Sequence, residues 1–214
     1  MAKQIEGVYE RILECAKKEF LAKGYTDASL RTIAAQAGTS TNSIYVRFQD
    51  KEGLFGALVE PVSEEFMSRF LNVQETFHSF DSETQRSQAG QYTAGEMTKM
   101  VDYVYDHFDE FRLLLDASSG TKFHRFVDRL VSLEEEYTWK WMEATGICME
   151  PEDEMMKGFY HMMVTSYFEG IFEVIRHGVS RKDAQIYISM MGKYHHAGFQ
   201  AMFRCDEQGG GTKL

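Results

Sequence analysis

Proline is almost absent. There are 2 in 214 residues, so little in the chain interrupts helices. Alternating stretches of strand type are scarce as well, and the two absences point to an all-α fold. Cysteine is nearly as rare. Cys15, Cys148 and Cys205 are scattered, odd in number and without metal-type spacing, which argues against a disulfide framework and for reduced thiols of the cytoplasm. No apolar run approaches the ~20 residues that span a bilayer. The opening MAKQIEGVYE lacks the apolar core of a signal peptide. A cytoplasmic protein without a membrane partner is expected. The chain also lacks GxSxG, a Gly-rich phosphate loop, HxxxH, HExxH and paired catalytic acids. Enzyme activity, a cofactor and a metal site are therefore not expected.

An excess of positive charge is missing too. The net charge is −10, which taken alone disfavours nucleic acid. Its distribution matters more. Residues 1–55 hold 8 Lys/Arg against 7 Asp/Glu, whereas residues 56–214 hold 15 against 26. With a Debye length of ~8 Å at physiological salt, only the local field counts. A near-neutral head on an acidic body is compatible with DNA binding.

What is present is helical periodicity. Ile5, Val8, Ile12, Cys15, Ala16, Phe20 and Leu21 recur at spacings of three and four, and Gly24 stops this first helix. Ser29 caps a short helix through Ile33, Ala34 and Ala37, which Gly38 ends. Ser40 caps a second through Ile44, Tyr45 and Phe48, and Asp50 caps a longer one that Pro61 should kink or restart. The polar segment 80–95 reads as a long loop. Helices follow at 97–108, 111–115, 121–144, 152–177 and 181–203, with a loop at 146–151 and a disordered tail at 208–214.

Two short helices joined by a tight Gly-containing turn form a helix-turn-helix pattern over residues 29–52. Ala34 and Ala35 are small where the helices must approach. The second helix opens with Ser40, Thr41, Asn42 and Ser43, short hydrogen-bonding side chains suited to base edges in a major groove. Tyr45, Arg47 and Lys51 follow as candidate phosphate contacts. Spacing alone leaves open a plain capped helical hairpin.

Residues 5–55 resemble the DNA-binding head of the TetR (tetracycline-repressor-like) family. The resemblance rests on Gly24-Tyr25-Thr26, Ser29 to Ala34, Ala37 to Ser40, Ile44 to Phe48 and Asp50 to Phe55. It implies an all-α dimer with a three-helix head, residues 1–55, and a ligand-binding and dimerisation body, residues 56–207. It also implies that Thr41, Asn42 and Ser43 face bases, and that Thr26, Arg31, Tyr45, Arg47 and Lys51 hold the phosphates of double-stranded operator DNA. Many members carry Lys, Arg or Gln at the position of Thr41 and Gly or Pro at that of Asn42.

The expected function is a ligand-responsive repressor released from a palindromic operator by a mostly apolar small molecule. Two other readings remain: an architectural DNA-binding protein of the same fold without an effector, and a helical ligand-binding or enzyme-like domain without DNA binding. The body concentrates Met and aromatic residues, as an adaptable apolar pocket requires. Candidate walls are Met100, Tyr103, Val104, Phe126, Trp139, Met163 and Tyr167. Asp102 and Glu169 leave the ligand's charge open between neutral and cationic. The last two long helices carry more apolar surface than one core face needs, so Gly170, Tyr187, Met191 and Gly198 are assigned to a homodimer interface. Cys15 reads as core, Glu134 to Glu136 as a solvated face with an acid or two pointing elsewhere, and His161, His195 and His196 as structural or surface residues.

Overall fold

The computed structural model describes residues 3–149 and 154–205; the tail at 208–214 lies outside them. Helices dominate as expected, in the order α1 (Lys3–Asp27), α2 (Leu30–Gln36), α3 (Thr41–Phe48), α4 (Lys51–His78), α5 (Ser82–Asp106) and α6 (Phe108–Asp116). A 3₁₀ turn at Lys122–Arg125 leads into α7 (Phe126–Thr145), followed by α8 (Glu154–Arg176) and α9 (Arg181–Met202). The chain forms two compact units. One comprises Met1–Ser68, Asp102–Phe126 and Ile175–Gly178; the other comprises Arg69–Val101, Val127–Val174 and Val179–Leu214.

Local signals place the first helices. Gly24 leaves helical geometry at φ 72°, ψ 170° near the end of α1, a region open to glycine at little cost. The Ser29 hydroxyl accepts from Thr32 N–H and the Ser40 hydroxyl from Ser43 N–H. An Asp50 carboxylate oxygen accepts from Gly53 N–H at 2.7 Å. Each satisfies a donor that a helix start leaves orphaned. Ile12, Ala16, Phe20, Ile33, Ala34, Ile44, Phe48, Leu54 and Phe55 are buried and make the core of the head.

Four expectations are corrected. The segment 80–95 is not a loop. Asp81 caps α5 by accepting from Thr84 N–H at 2.9 Å and Thr84 Oγ1 at 2.8 Å. Gln85, buried, donates to the carbonyls of His78 and Phe80 at the end of α4. Tyr92 stacks on Phe77 and donates to the Val73 carbonyl. Pro61 lies inside α4, which runs on to His78; buried Leu58 and Val59 before it and Val62 and Phe66 after it hold both flanks. The helix expected over 121–144 starts as the 3₁₀ turn, with Thr121 capping Phe123 N–H. Finally, the expected loop at 146–151 contains a strand, β1 (Ile147–Met149), antiparallel to β2 (Phe203–Cys205), which follows α9 directly.

Candidate nucleic-acid interface and body site

The turn between α2 and α3 is built by backbone bonds. Gly38 takes φ 65°, and Thr39 N–H donates to Ala34 O at 2.9 Å. Ala34 and Ala37 are buried at the crossing, where a larger side chain would push the helices apart. Ile44 and Phe48 anchor α3 inward, with Tyr9 of α1 stacked on Phe48 at 5.2 Å. Helical geometry then fixes the outer face. Asn42 is exposed, Thr41 and Ser43 are half-buried, Tyr45 is 51% exposed and Val46 is 74% exposed.

The candidate phosphate contacts occupy different states. Arg31 and Thr26 are exposed. Arg47 is tied back along its own helix, with Nη1 donating to Ser43 Oγ at 2.6 Å and Ser43 O at 3.1 Å. Lys51 donates from Nζ to the Thr26 carbonyl at 2.9 Å and lies 4.9 Å from the Tyr25 ring centre. Burial lowers its pKa from the ordinary lysine value, opposed by the charges of Asp27 and Glu19. Within the same unit the Tyr25 N–H donates to the Ala117 carbonyl at 2.9 Å, and Lys17 pairs with Glu110. The residue that the sequence reading missed here is Val46. Its signal was its phase, one position after Tyr45 and opposite buried Ile44 and Phe48.

The candidate pocket residues divide between the units. Tyr103, Val104 and Phe126 belong to the first and are buried. Tyr103 and Phe126 pack with Phe66 and Phe111 in an aromatic cluster, ring centres 5.3–6.4 Å apart. They fill core there. Met100, buried, and Trp139, Met163 and Tyr167, half-buried, belong to the second unit. Trp139 meets the Tyr160 ring edge-on at 5.3 Å, and Tyr160 donates to Thr138 Oγ1 at 2.7 Å. Tyr167 lies 4.7 Å from the ring of His195.

The same unit shows which acid of Glu134 to Glu136 points away from solvent. Glu136 does face solvent, paired with Lys140, and Glu135 meets His161 at 3.0 Å. Glu134 points inward, where its carboxylate accepts from Gln74 Nε2 at 2.6 Å. Desolvation pushes its pKa up to about 7, against the lowering effect of the Gln74 bond. His195 is 6% exposed, and its Nδ1 has no hydrogen-bond partner. Burial lowers its pKa, so it stays neutral at neutral pH. Among the described residues no group of three or more His, Cys, Asp or Glu could hold a metal, and no helix is long and apolar enough to cross a membrane.

On α8, Met155, Phe159 and Met162 are exposed along one face; on α9, Ile186, Tyr187, Met190 and Tyr194 are. At Gly170 a Cβ would run into the Met191 methyl of the same chain. Gly198 has open space before it.

Residues 12–58 match the family model described as bacterial regulatory proteins, tetR family. The uncharacterized HTH-type transcriptional regulator YvdT of Bacillus subtilis (strain 168) is 38% identical over 60 residues, 28% of this chain and 31% of that protein. YdgC of the same organism, described in the same words, is 34% identical over 67 residues, 31% of this chain and 32% of that protein. The match thus spans about a third of either relative's length. Among solved structures, SmeT, the repressor of the Stenotrophomonas maltophilia multidrug efflux pump SmeDEF, superposes with a TM-score of 0.61 at 16% identity, over 95% of this chain and 94% of that one. NalD, the secondary repressor of the MexAB-OprM pump in Pseudomonas aeruginosa, gives 0.54 at 19% identity, over 89% and 96%. At these identities the likeness is one of fold.

Proposed function

The head of this chain belongs to the tetR family of bacterial regulatory proteins, and from that premise we propose that the whole chain is a ligand-responsive, sequence-specific DNA-binding repressor of the cytoplasm. In this reading residues 1–55 bind DNA and residues 56–207 bind effector and dimerise. The observation that carries it is the outer face of α3. Asn42, Tyr45 and Val46 stand exposed while Ile44 and Phe48 hold the helix from behind. Asn42 and Thr41 supply hydrogen bonds to base edges, and Val46 supplies apolar contact to a thymine methyl. Tyr45, Arg31 and Thr26 hold phosphates. Lys51 and Arg47 join them by exchanging their present oxygen partners for phosphate oxygens.

One such helix reads only a few base pairs, so the operator is a palindrome read by two copies about one helical turn, ~34–36 Å, apart. The effector is a mostly apolar small molecule held in the second unit near Trp139, Met163 and Tyr167. It acts by favouring the arrangement that binds DNA less well.

The test is binding to an operator selected from random duplexes, followed at several salt concentrations. Lys51→Ala should weaken selected and random DNA alike and reduce the salt slope by about one per head, about two for the two-headed complex. Asn42→Ala and Val46→Ala should instead change which sequences are selected, each costing about 1–3 kcal/mol of discrimination. An unchanged slope in Lys51→Ala would remove the phosphate assignment. Unchanged selection in both α3 variants would remove base reading.

A further inference from the structure

The second unit contains a carboxylate that its own residues do not neutralise. Glu134 accepts one hydrogen bond, from the neutral amide of Gln74 at 2.6 Å, and among the described residues no Lys, Arg or His pairs with it. Part of the residue remains accessible, yet its carboxyl is desolvated. The Tyr160 hydroxyl donates to Thr138 Oγ1 at 2.7 Å, one turn along α7 from Glu134. Burial chiefly, and the Glu134 charge after it, raises the pKa of two tyrosines of α8, Tyr160 and Tyr167. Trp139 closes on Tyr160, and His195 lies against Tyr167 with Nδ1 unpartnered.

These groups share a chemical character. A carboxylate, aromatic π-faces and a neutral imidazole nitrogen all attract a cation or a donated hydrogen bond. What is missing among them is a positively charged donor. Leaving a carboxylate in such a place without one is costly.

We propose that the second unit binds a protonated amine on an apolar body, with Glu134 as its counter-charge, Tyr160 and Tyr167 as its aromatic walls and His195 as a hydrogen-bond acceptor. This rests on the reading of the body as the effector-binding part and names the chemical class of the effector. It names Glu134 as the counter-charge, where Asp102 and Glu169 had left the ligand's charge open in the sequence. An apolar surround strengthens an ion pair that a ligand completes, and the same surround selects against anions.

The test is calorimetry on the full chain at neutral pH with three probes that share one ring system: 2-(1-naphthyl)ethylamine, 2-(1-naphthyl)ethanol and 1-naphthylacetate. The amine should bind at least about tenfold tighter than the alcohol, and the carboxylate most weakly. Glu134→Gln keeps the shape without the charge. It should weaken the amine by roughly thirtyfold or more and leave the alcohol within about twofold. Tyr167→Leu, as a second variant, should weaken the amine several-fold more than the alcohol. The wild-type series is decisive without any variant: an alcohol or carboxylate that binds as tightly as the amine, or no binding by any of the three, overturns the proposal. Survival of the amine preference in Glu134→Gln overturns it as well. Amine binding that leaves DNA affinity unchanged would instead defeat the effector reading and leave the site standing.

Discussion

At the scale of single residues, Glu134 gives a stability signature opposite to that of most carboxylates. In the folded chain its pKa is raised to about 7; in the unfolded chain it returns to ~4.3. Between those values the folded state holds a proton that the unfolded state has released, so stability falls as pH rises through that window. The loss amounts to roughly 3–4 kcal/mol by pH 8. Glu134→Gln has no proton to lose. It should match the wild type near pH 4 and melt roughly 5–10 °C higher at pH 8. A variant less stable at pH 8 would show that the carboxylate is already compensated. Gly53 gives the reverse case. A Cβ there would collide with the Phe48 carbonyl, a backbone atom that cannot swing away. Gly53→Ala should cost about 3 kcal/mol or more by thermal melting, as a core clash does, whereas Gly198→Ala, with open space before it, should be near neutral. The difference in legibility between these residues is one of range. Ser29, Ser40 and Asp50 were readable as caps because each bonds a backbone N–H three residues on. Which of three adjacent acids turns inward is set by packing, and the Gln74 partner of Glu134 lies 60 residues away.

At the scale of elements, the helices with a clear apolar stripe were found and α5 was half missed. Its first turns are Ser, Thr, Gln and Gly-rich, a composition that reads as loop because few positions ask for burial. The structure shows what replaces a broad apolar face: a capping aspartate, one buried glutamine closing the previous helix, and Tyr92 stacked on Phe77. The cap should therefore matter more here than in a helix with a strong stripe. Asp81→Ala removes both bonds to Thr84 and should cost about 1–2 kcal/mol. Amide hydrogen exchange should speed up chiefly over residues 82–90, while α3 keeps its protection. Uniform protection across α5 in the variant would mean that packing, not the cap, holds its start. The β1–β2 pair was invisible for a related reason: three-residue strands carry too little alternation to register, and their pairing joins segments far apart in sequence.

At the scale of the whole molecule, the head was legible from motif and the body only from periodicity. The sequence assigned Gly170 and Met191 to contacts between copies, yet Gly170 is the seat of Met191 within one chain. The glycine there leaves room for the end of the Met191 side chain, which no single sequence can distinguish from a contact between chains. What remains unpartnered is the exposed row of Ile186, Tyr187, Met190 and Tyr194 on α9, together with Met155, Phe159 and Met162 on α8. So many large apolar side chains on two adjacent elements mark an interaction surface. In the proposed reading a second copy covers this surface, because a two-fold interface uses the same patch on both chains and gives a palindrome reader its two heads. Tyr187→Glu with Met190→Glu places four like charges across such an interface and should yield monomers at micromolar concentration by sedimentation, with the helix content kept. Met191→Glu should instead damage the chain's own packing. The monomeric variant should also lose operator affinity and show about half the wild-type salt slope, since one head neutralises half the phosphates. A wild-type chain that sediments as a monomer, or a double variant that remains a dimer, would move the interface elsewhere and leave the apolar row to another partner.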